Sequence, residues 1–176
     1  ENARSYLKNR QINAETAQQF SVGYAPPGQL LCEELKKKGY HLEHLLACGL
    51  VRESDSGQTY DRFRNRIMLP IRDLSGKTIA FGGRSLGEGL PKYLNSPETP
   101  LYSKSNHLYP LNVTRDEIRR RDFAILVEGY FDCIIPLQLG IPNIVASLGT
   151  SLTRNQVKLL GRYTRNVITN YDPVSY

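Results

Sequence analysis

The sequence predicts an α/β fold: an α+β region first, then a partial parallel sheet. Three observations carry that prediction. Residues 123–127 are a short apolar run with β-branched members that stops at Glu128-Gly129. A strand of this kind buries its length and delivers the charge at its carboxyl end. Two more apolar runs follow at 143–149 and 166–172, the second also ending on a carboxylate, Asp172. Between the runs lie helix candidates at 133–139, closed by Gly140 and Pro142, and at 152–163. Strand, helix, strand, helix, strand is the pattern of a parallel sheet with right-handed crossovers. Ligands of such sheets gather at the carboxyl ends of the strands. Glu128 and Asp172 both fall at such ends, and two acids at one sheet edge suit a divalent cation with oxygen ligands, typically Mg²⁺. One acid at a strand end is an ordinary solvated terminus; the ordered set is what points to a site.

Upstream, the elements are shorter. Residues 3–10 read as a helix, and Asn13 is a good N-cap for a second one through Phe20. After a turn-rich connection at 23–28, an amphipathic helix at 30–38 stops at Gly39, and another at 41–48 stops at Gly49. His41 and His44 on the latter are read as surface or packing residues. Residues 50–52 and 59–60 flank a polar loop and suggest a hairpin. Strands at 67–72 and 77–81 enclose the turn Asp73-Leu74-Ser75-Gly76. Gly82-Gly83 then stands at the strand end, where it admits another backbone or a phosphate, with Arg84 beside it. In an extended segment, Arg62, Arg64 and Arg66 would point to one side, a row that needs anions or carboxylates. Residues 91–100 form a proline-rich ordered loop in which Lys92, Tyr93 and Asn95 offer a cation, a ring and an amide to a single strand. A charged helix or linker at 112–121 leads into the sheet.

Composition narrows the partners. The chain has 176 residues, 23 Lys plus Arg against 17 Asp plus Glu, and a net charge of +6, which favours an anionic partner. No acidic residue occurs from Cys133 to Tyr171. Within that span Arg154, Lys158 and Arg162 share one helical face, with Leu152, Val157 and Leu160 on the other. No apolar run approaches the roughly 20 residues of a membrane span, so no membrane partner is expected. Cys32, Cys48 and Cys133 fit neither a disulfide framework nor a zinc site, and a reducing cytoplasm is the expected setting.

The motifs resemble a known family. The segment containing Glu128-Gly129-Tyr130-Phe131-Asp132 and Asp172 is similar to the first half of a TOPRIM domain, the metal-binding module of primases and type I and II topoisomerases. That family's Asp-x-Asp pair is only half present, because Val174 stands where the second Asp belongs. The chain is therefore expected to be incomplete or interrupted near Pro173. The resemblance also covers the motifs around 61–73, Phe81-Gly82-Gly83-Arg84, 91–99 and Ala146-Ser147-Leu148-Gly149-Thr150. It includes Tyr6-Leu7-Lys8-Asn9-Arg10 as well, with Gln11 where Gly is usual. Together these look like the catalytic core of bacterial replicative DNA primase.

The resemblance implies an α+β subdomain at 1–118 and an incomplete TOPRIM subdomain at 119–176. It implies synthesis of short RNA primers on single-stranded DNA by metal-dependent nucleotidyl transfer. By position, Glu128 and Asp172 would ligate Mg²⁺ (or Mn²⁺), and Asp132 would support the catalytic site. Arg10, Arg84 and Lys92 would meet phosphates of the incoming nucleotide or template. Tyr93, Asn95 and Lys104 would line the nucleic-acid groove, with Arg62, Arg64 and Arg66 nearby. The implied partners are the DNA template, ribonucleoside triphosphates and the RNA primer. The replicative helicase would be reached only through a domain absent here, and zinc belongs to another absent domain. The implied location is the cytoplasm, at the nucleoid. Two alternatives stay open: a catalytically incomplete nucleic-acid-binding fragment, and a TOPRIM topoisomerase or nuclease in which Tyr130 would be the nucleophile.

Overall fold

The computed structural model describes residues 2–87, 91–149 and 151–171. The chain divides into two compact units, one made of residues 1–70 and 79–102, the other of residues 71–78 and 103–176.

The first unit opens with α1 (Asn2–Asn9) and α2 (Ala14–Gln19). Asn13 caps α2: its Oδ1 accepts the Thr16 N–H at 2.7 Å. Two further short helices follow β1 (Gly23–Ala25): α3 (Leu30–Lys37) and α4 (Leu42–Ala47). They share an apolar cluster of Cys32 and Leu45 with Val51, the first residue of β2 (Val51–Glu53). β2 pairs antiparallel with β3 (Thr59–Asp61), the expected hairpin. No side chain in the first turn of α3 caps it. Instead the buried Asp61 accepts the N–H groups of Leu31 and Cys32 at 2.7 and 2.8 Å, an anion on the positive end of a helix dipole.

The main sheet has the order β1-β4-β5-β6, from β4 (Arg66–Arg72), β5 (Thr78–Ser85) and β6 (Tyr93–Asn95). Ile67 and Leu69 are fully buried, as the two-residue period of a half-covered strand requires. Asp73 closes the β4–β5 turn by accepting from the N–H groups of Ser75 and Lys77 at 2.8 and 3.0 Å.

Three expectations change here. Gly82-Gly83 does not end a strand. β5 runs through it to Ser85, and β6 pairs antiparallel alongside. Part of the proline-rich loop is thus strand β6. The arginines at 62, 64 and 66 do not form a row on one strand face either. β4 begins only at Arg66, and Asn65 before it takes a left-handed φ of 50°, so the alternation that would align the three is broken.

In the second unit, β7 (Ala124–Val127) lies between β8 (Ile144–Ala146) and β9 (Val167–Thr169), all parallel. α5 (Leu111–Arg121), which the sequence reading placed before the sheet subdomain, sets Leu111 and Ile118 in one core with Leu126, Val145 and Leu160. α6 (Tyr130–Gln138) starts three residues earlier than expected, and α7 (Arg154–Leu160) is shorter than expected. On α7 the inward position belongs to Gln156, which is fully buried, while Val157 is half exposed. Val157 is therefore not the core residue that a simple apolar count makes it. β9 is an edge strand, with Val167 and Ile168 exposed.

Candidate functional site

In the second unit β7 buries Ala124, Leu126 and Val127, Ile125 is half-buried, and Glu128, the next residue, is exposed. The chain turns at once into α6. Gly129 is the N-cap, and its N–H donates to Asp132 Oδ2 at 3.0 Å. A Cβ on Gly129 would lie 3.0 Å from that same oxygen, so a side chain there would make the Asp132 carboxylate shift. Beside the elbow, the Asn170 N–H donates to Leu126 O at 2.8 Å, which carries the β9 pairing past its last strand residue. Glu128, Asp132 and Asn170 line one cleft of about 280 Å³ with Val127, Phe131 and Ile144. Sequence reasoning missed Asn170, whose only signal was its place near the end of the third apolar run.

Asp172, the second predicted metal ligand, lies outside the described residues, as does Val174. Among the described residues the Glu128 carboxylate has no hydrogen-bond or ion-pair partner, and no group of three or more His, Cys, Asp or Glu gathers. The polar residues that line the cleft, Glu128, Asp132 and Asn170, carry carboxylate and amide oxygens, hard ligands of the kind that Mg²⁺ or Mn²⁺ takes.

Tyr130 does not face this cleft as a free nucleophile. It is 2% exposed, and its ring packs edge-on against Tyr109 at 4.8 Å. Cys133 is also buried, and burial pushes its thiol far above its usual range.

Lys104 opens a 3₁₀ turn, Lys104–Asn106, in the same unit. That turn is tied to α7. Thr153 Oγ1 donates to Ser105 O at 2.6 Å, and Asn155 Nδ2 donates to Asn106 Oδ1 at 2.8 Å.

The first unit holds the other predicted residues. Arg84 and Tyr93 are direct cross-strand partners of β5 and β6, so they share a face, and the guanidinium carbon sits 5.3 Å from the Tyr93 ring. Tyr6 of α1 joins them: its hydroxyl accepts from Arg84 Nε at 3.0 Å, and Arg84 and Arg10 lie 5.4 and 5.5 Å from its ring. Arg84 Nη1 further donates to Ser85 O and to Lys92 O, at 3.1 and 3.4 Å. Arg10, Arg84, Lys92 and Tyr93 are thus brought together, with Tyr6 as a member that the sequence reading did not single out.

The three arginines after Asp61 go separate ways. Arg62 is partly buried and donates twice to Asn95 O, at 2.9 and 3.3 Å. Arg64 is exposed, 5.2 Å from the Tyr60 ring. Arg66 is 6% exposed and donates from Nη1 to Gly83 O and Pro91 O at 3.1 and 2.9 Å. Burial, and then the charge of Arg84, push its pKa down. A Cβ on Gly83 would fall 2.9 Å from Arg66 Cδ and 2.8 Å from Phe63 Cδ1. What the glycine admits is therefore these two side chains, not a phosphate.

The chain matches the family model described as "DNA primase catalytic core, N-terminal domain" over residues 1–115, and one described as "Toprim-like" over residues 125–173. The curated DNA primase of Clostridium acetobutylicum is 46% identical over 172 residues, covering 97% of this chain and 28% of the relative. That of Escherichia coli K12 is 44% identical over 173 residues, covering 97% and 29%. The chain therefore spans somewhat over a quarter of the length of these relatives. Among solved structures, the RNA polymerase domain of Mycobacterium tuberculosis primase DnaG superposes with a TM-score of 0.89 at 35% identity, covering 97% of this chain and 59% of that one. The DnaG primase catalytic domain bound to ssDNA gives 0.86 at 44% identity, covering 98% and 56%.

Proposed function

Since the chain belongs to the DNA primase catalytic-core family, we propose that it carries part of an RNA polymerase that makes short primers on single-stranded DNA for replication. The observation that carries this reading is the exposed, unpartnered Glu128 carboxylate at the carboxyl end of a buried parallel strand, on the cleft it shares with Asp132 and Asn170. The ssDNA-bound relative supports nucleic acid as a partner.

Glu128 and Asp172 are the proposed ligands of a divalent cation, Mg²⁺ or Mn²⁺. When bound, such an ion makes the attacking hydroxyl more acidic and neutralises charge on the leaving pyrophosphate. The chain's own groups do the rest. Asp132 fixes the elbow after Glu128 by holding the Gly129 N–H. Arg10, Arg84 and Lys92 grip phosphates of a ribonucleoside triphosphate or of the template, since charge-assisted hydrogen bonds to phosphate are the strong ones. Tyr93, Asn95, Lys104 and Arg64 meet the DNA strand, and a tyrosine ring stacks on any base. Arg62 and Arg66 act from behind, holding the carbonyls of Asn95, Gly83 and Pro91. The helicase would be met outside this chain. The proposed location is the bacterial cytoplasm at the nucleoid, and no described helix is long and apolar enough to cross a membrane.

The test is Glu128→Gln in the full-length protein. Dinucleotide synthesis with Mg²⁺ or Mn²⁺ should fall by about 10²-fold or more, the scale of losing one charge-stabilising group, with single-strand binding kept. Undiminished synthesis overturns the reading. A topoisomerase or nuclease would instead cleave DNA and lose that activity in Tyr130→Phe; the burial of Tyr130 speaks against it.

A further inference from the structure

Gln156 is the one glutamine with no exposure at all among the described residues. Its place at the third position of α7 looks ordinary, for it completes a capping box with Thr153: Gln156 N–H donates to Thr153 Oγ1 at 3.1 Å, and Gln156 Oε1 accepts from Thr153 N–H at 3.0 Å. A capping box uses only one end of the amide. The other end, Nε2, faces three carbonyls: His107 O at 2.8 Å, Lys104 O at 3.2 Å and Ser147 O at 3.4 Å. Two N–H groups for three acceptors means one is shared.

Those carbonyls lead to two different parts of the proposed site. Lys104 and His107 bracket the 3₁₀ turn. Ser147 lies at the carboxyl end of β8, where its own N–H donates to Val127 O at 3.3 Å and the Leu148 N–H donates to Glu128 O at 3.0 Å. Leu148 holds a left-handed φ of 61° though it is not glycine, and Gly149 follows at 76°. Such a backbone persists only where its surroundings hold it; the Leu148 N–H is held by Glu128 O, and the Gln156 amide reaches the carbonyl just before it.

We propose that Gln156 is a positioning residue that sets the Lys104 turn against the strand end carrying Glu128. One amide spans both, so a change there shifts a nucleic-acid contact relative to the metal ligand while leaving the Lys104 and Glu128 side chains in place. This rests on the functional reading given above for Lys104 and Glu128.

The experiment is a double-mutant cycle in the full-length protein with Gln156→Met, which keeps the volume and removes the amide, and Lys104→Ala. Single-strand affinity and the kcat and KM of dinucleotide synthesis are read together with the melting temperature. The expected result is a fall in kcat of about 10-fold or more in Q156M, the order reached when a catalytic geometry is displaced by a fraction of an ångström to one ångström. Affinity should weaken severalfold in Q156M but by less than about twofold more when Lys104 is already alanine, because coupled residues are not additive. Equal losses in both backgrounds, or none, overturn the proposal, since a purely structural defect does not depend on Lys104. If Q156M does not fold, the exposed Asn155→Ala takes its place. It cuts the tether to Asn106 Oδ1, and the same dependence on Lys104 is expected, with the same overturning result. The affinity cycle needs no catalysis: full synthesis by Glu128→Gln would remove the functional reading and leave the Gln156–Lys104 coupling to be judged alone.

Discussion

The Asp132 carboxylate accepts the backbone N–H of Gly129 at 3.0 Å, one residue beyond Glu128. It therefore has two tasks: capping α6 and lining the cleft with Glu128. The amide of Asp132→Asn still offers an oxygen to Gly129, so stability should hold, whereas Asp132→Ala should lose about 1 kcal/mol, the usual worth of a cap. Synthesis should fall about 10-fold or more in the asparagine variant, because a charge beside the proposed cation is gone. Thermal melting and dinucleotide synthesis measured on both variants separate the tasks. Wild-type synthesis by D132N would leave Asp132 as a cap alone.

Gly83 and Arg66 make a second testable pair. A methyl at 83 would press on Phe63 Cδ1 and Arg66 Cδ, at 2.8 and 2.9 Å, so Gly83→Ala should destabilise the fold by about 1–3 kcal/mol, the range for overpacking. Arg66→Met strips the donors from Gly83 O and Pro91 O and should cost roughly 1.5–3 kcal/mol, the scale for hydrogen bonds from a charged group. Neither should change the salt slope of single-strand binding. Arg84→Ala and Lys92→Ala should flatten it by roughly 0.7 per lost phosphate contact. Melting curves and a plot of log affinity against log salt concentration give both answers, and a flattened slope in R66M would return Arg66 to the binding surface.

These pairs show where the sequence could be read and where it could not. The strand at 124–127 with Glu128 at its end, the Asn13 cap and the Asp73 turn depend on residues within a few positions of one another, and local pattern finds such features. Arg66, Asp61 and Gln156 depend on distant partners. Arg66 turns inward because Asn65 breaks the extended alternation and Gly83 leaves it room. Asp61 caps a helix about thirty residues upstream. Gln156 takes the core position of α7, which puts Val157 outside, because Lys104, His107 and Ser147 supply acceptors that no helical period records. The Arg84–Tyr93 neighbourhood could be inferred as a motif, but the part played by Tyr6 needed a fold that brings residue 6 to residue 84.

The carboxylate of Glu117 gives a pH prediction. Hydrogen bonds from Arg120 and Arg121, at 2.6 and 3.2 Å, hold its pKa at about 2 against an ordinary value near 4.5. A folded pKa below the unfolded one means the contribution is fully present above about pH 4.5 and is lost as pH falls toward about 2. The pair is at the surface, so solvent and salt weaken it. Glu117→Gln should therefore melt like the wild type in acid below about pH 2 and fall slightly behind it above about pH 4.5, most clearly at low salt. A melting difference that grew on acidification would reverse the sign and exclude this account.

Tyr6 bears on the phosphate grip itself. Arg10 and Arg84 both rest against its ring, and its hydroxyl takes Arg84 Nε. Without the ring, two flexible cations would have to be ordered by the ligand, at a cost of about 0.5–1.5 kcal/mol for each side chain immobilised. Tyr6→Phe removes one hydrogen bond, about 0.5–1.5 kcal/mol, so single-strand and triphosphate affinities should drop about two- to tenfold. Tyr6→Ala also removes the ring contacts, about 0.5–1 kcal/mol apiece at exposed sites, and should drop both affinities by a further factor of about five or more. The loss should vanish when Arg84 and Arg10 are already alanine, because Tyr6 acts through them. Fluorescence anisotropy with a labelled oligonucleotide and a labelled ribonucleotide measures both affinities. A Tyr6→Ala protein that binds both ligands like the wild type would mean that these arginines do not grip phosphate in the arrangement seen here.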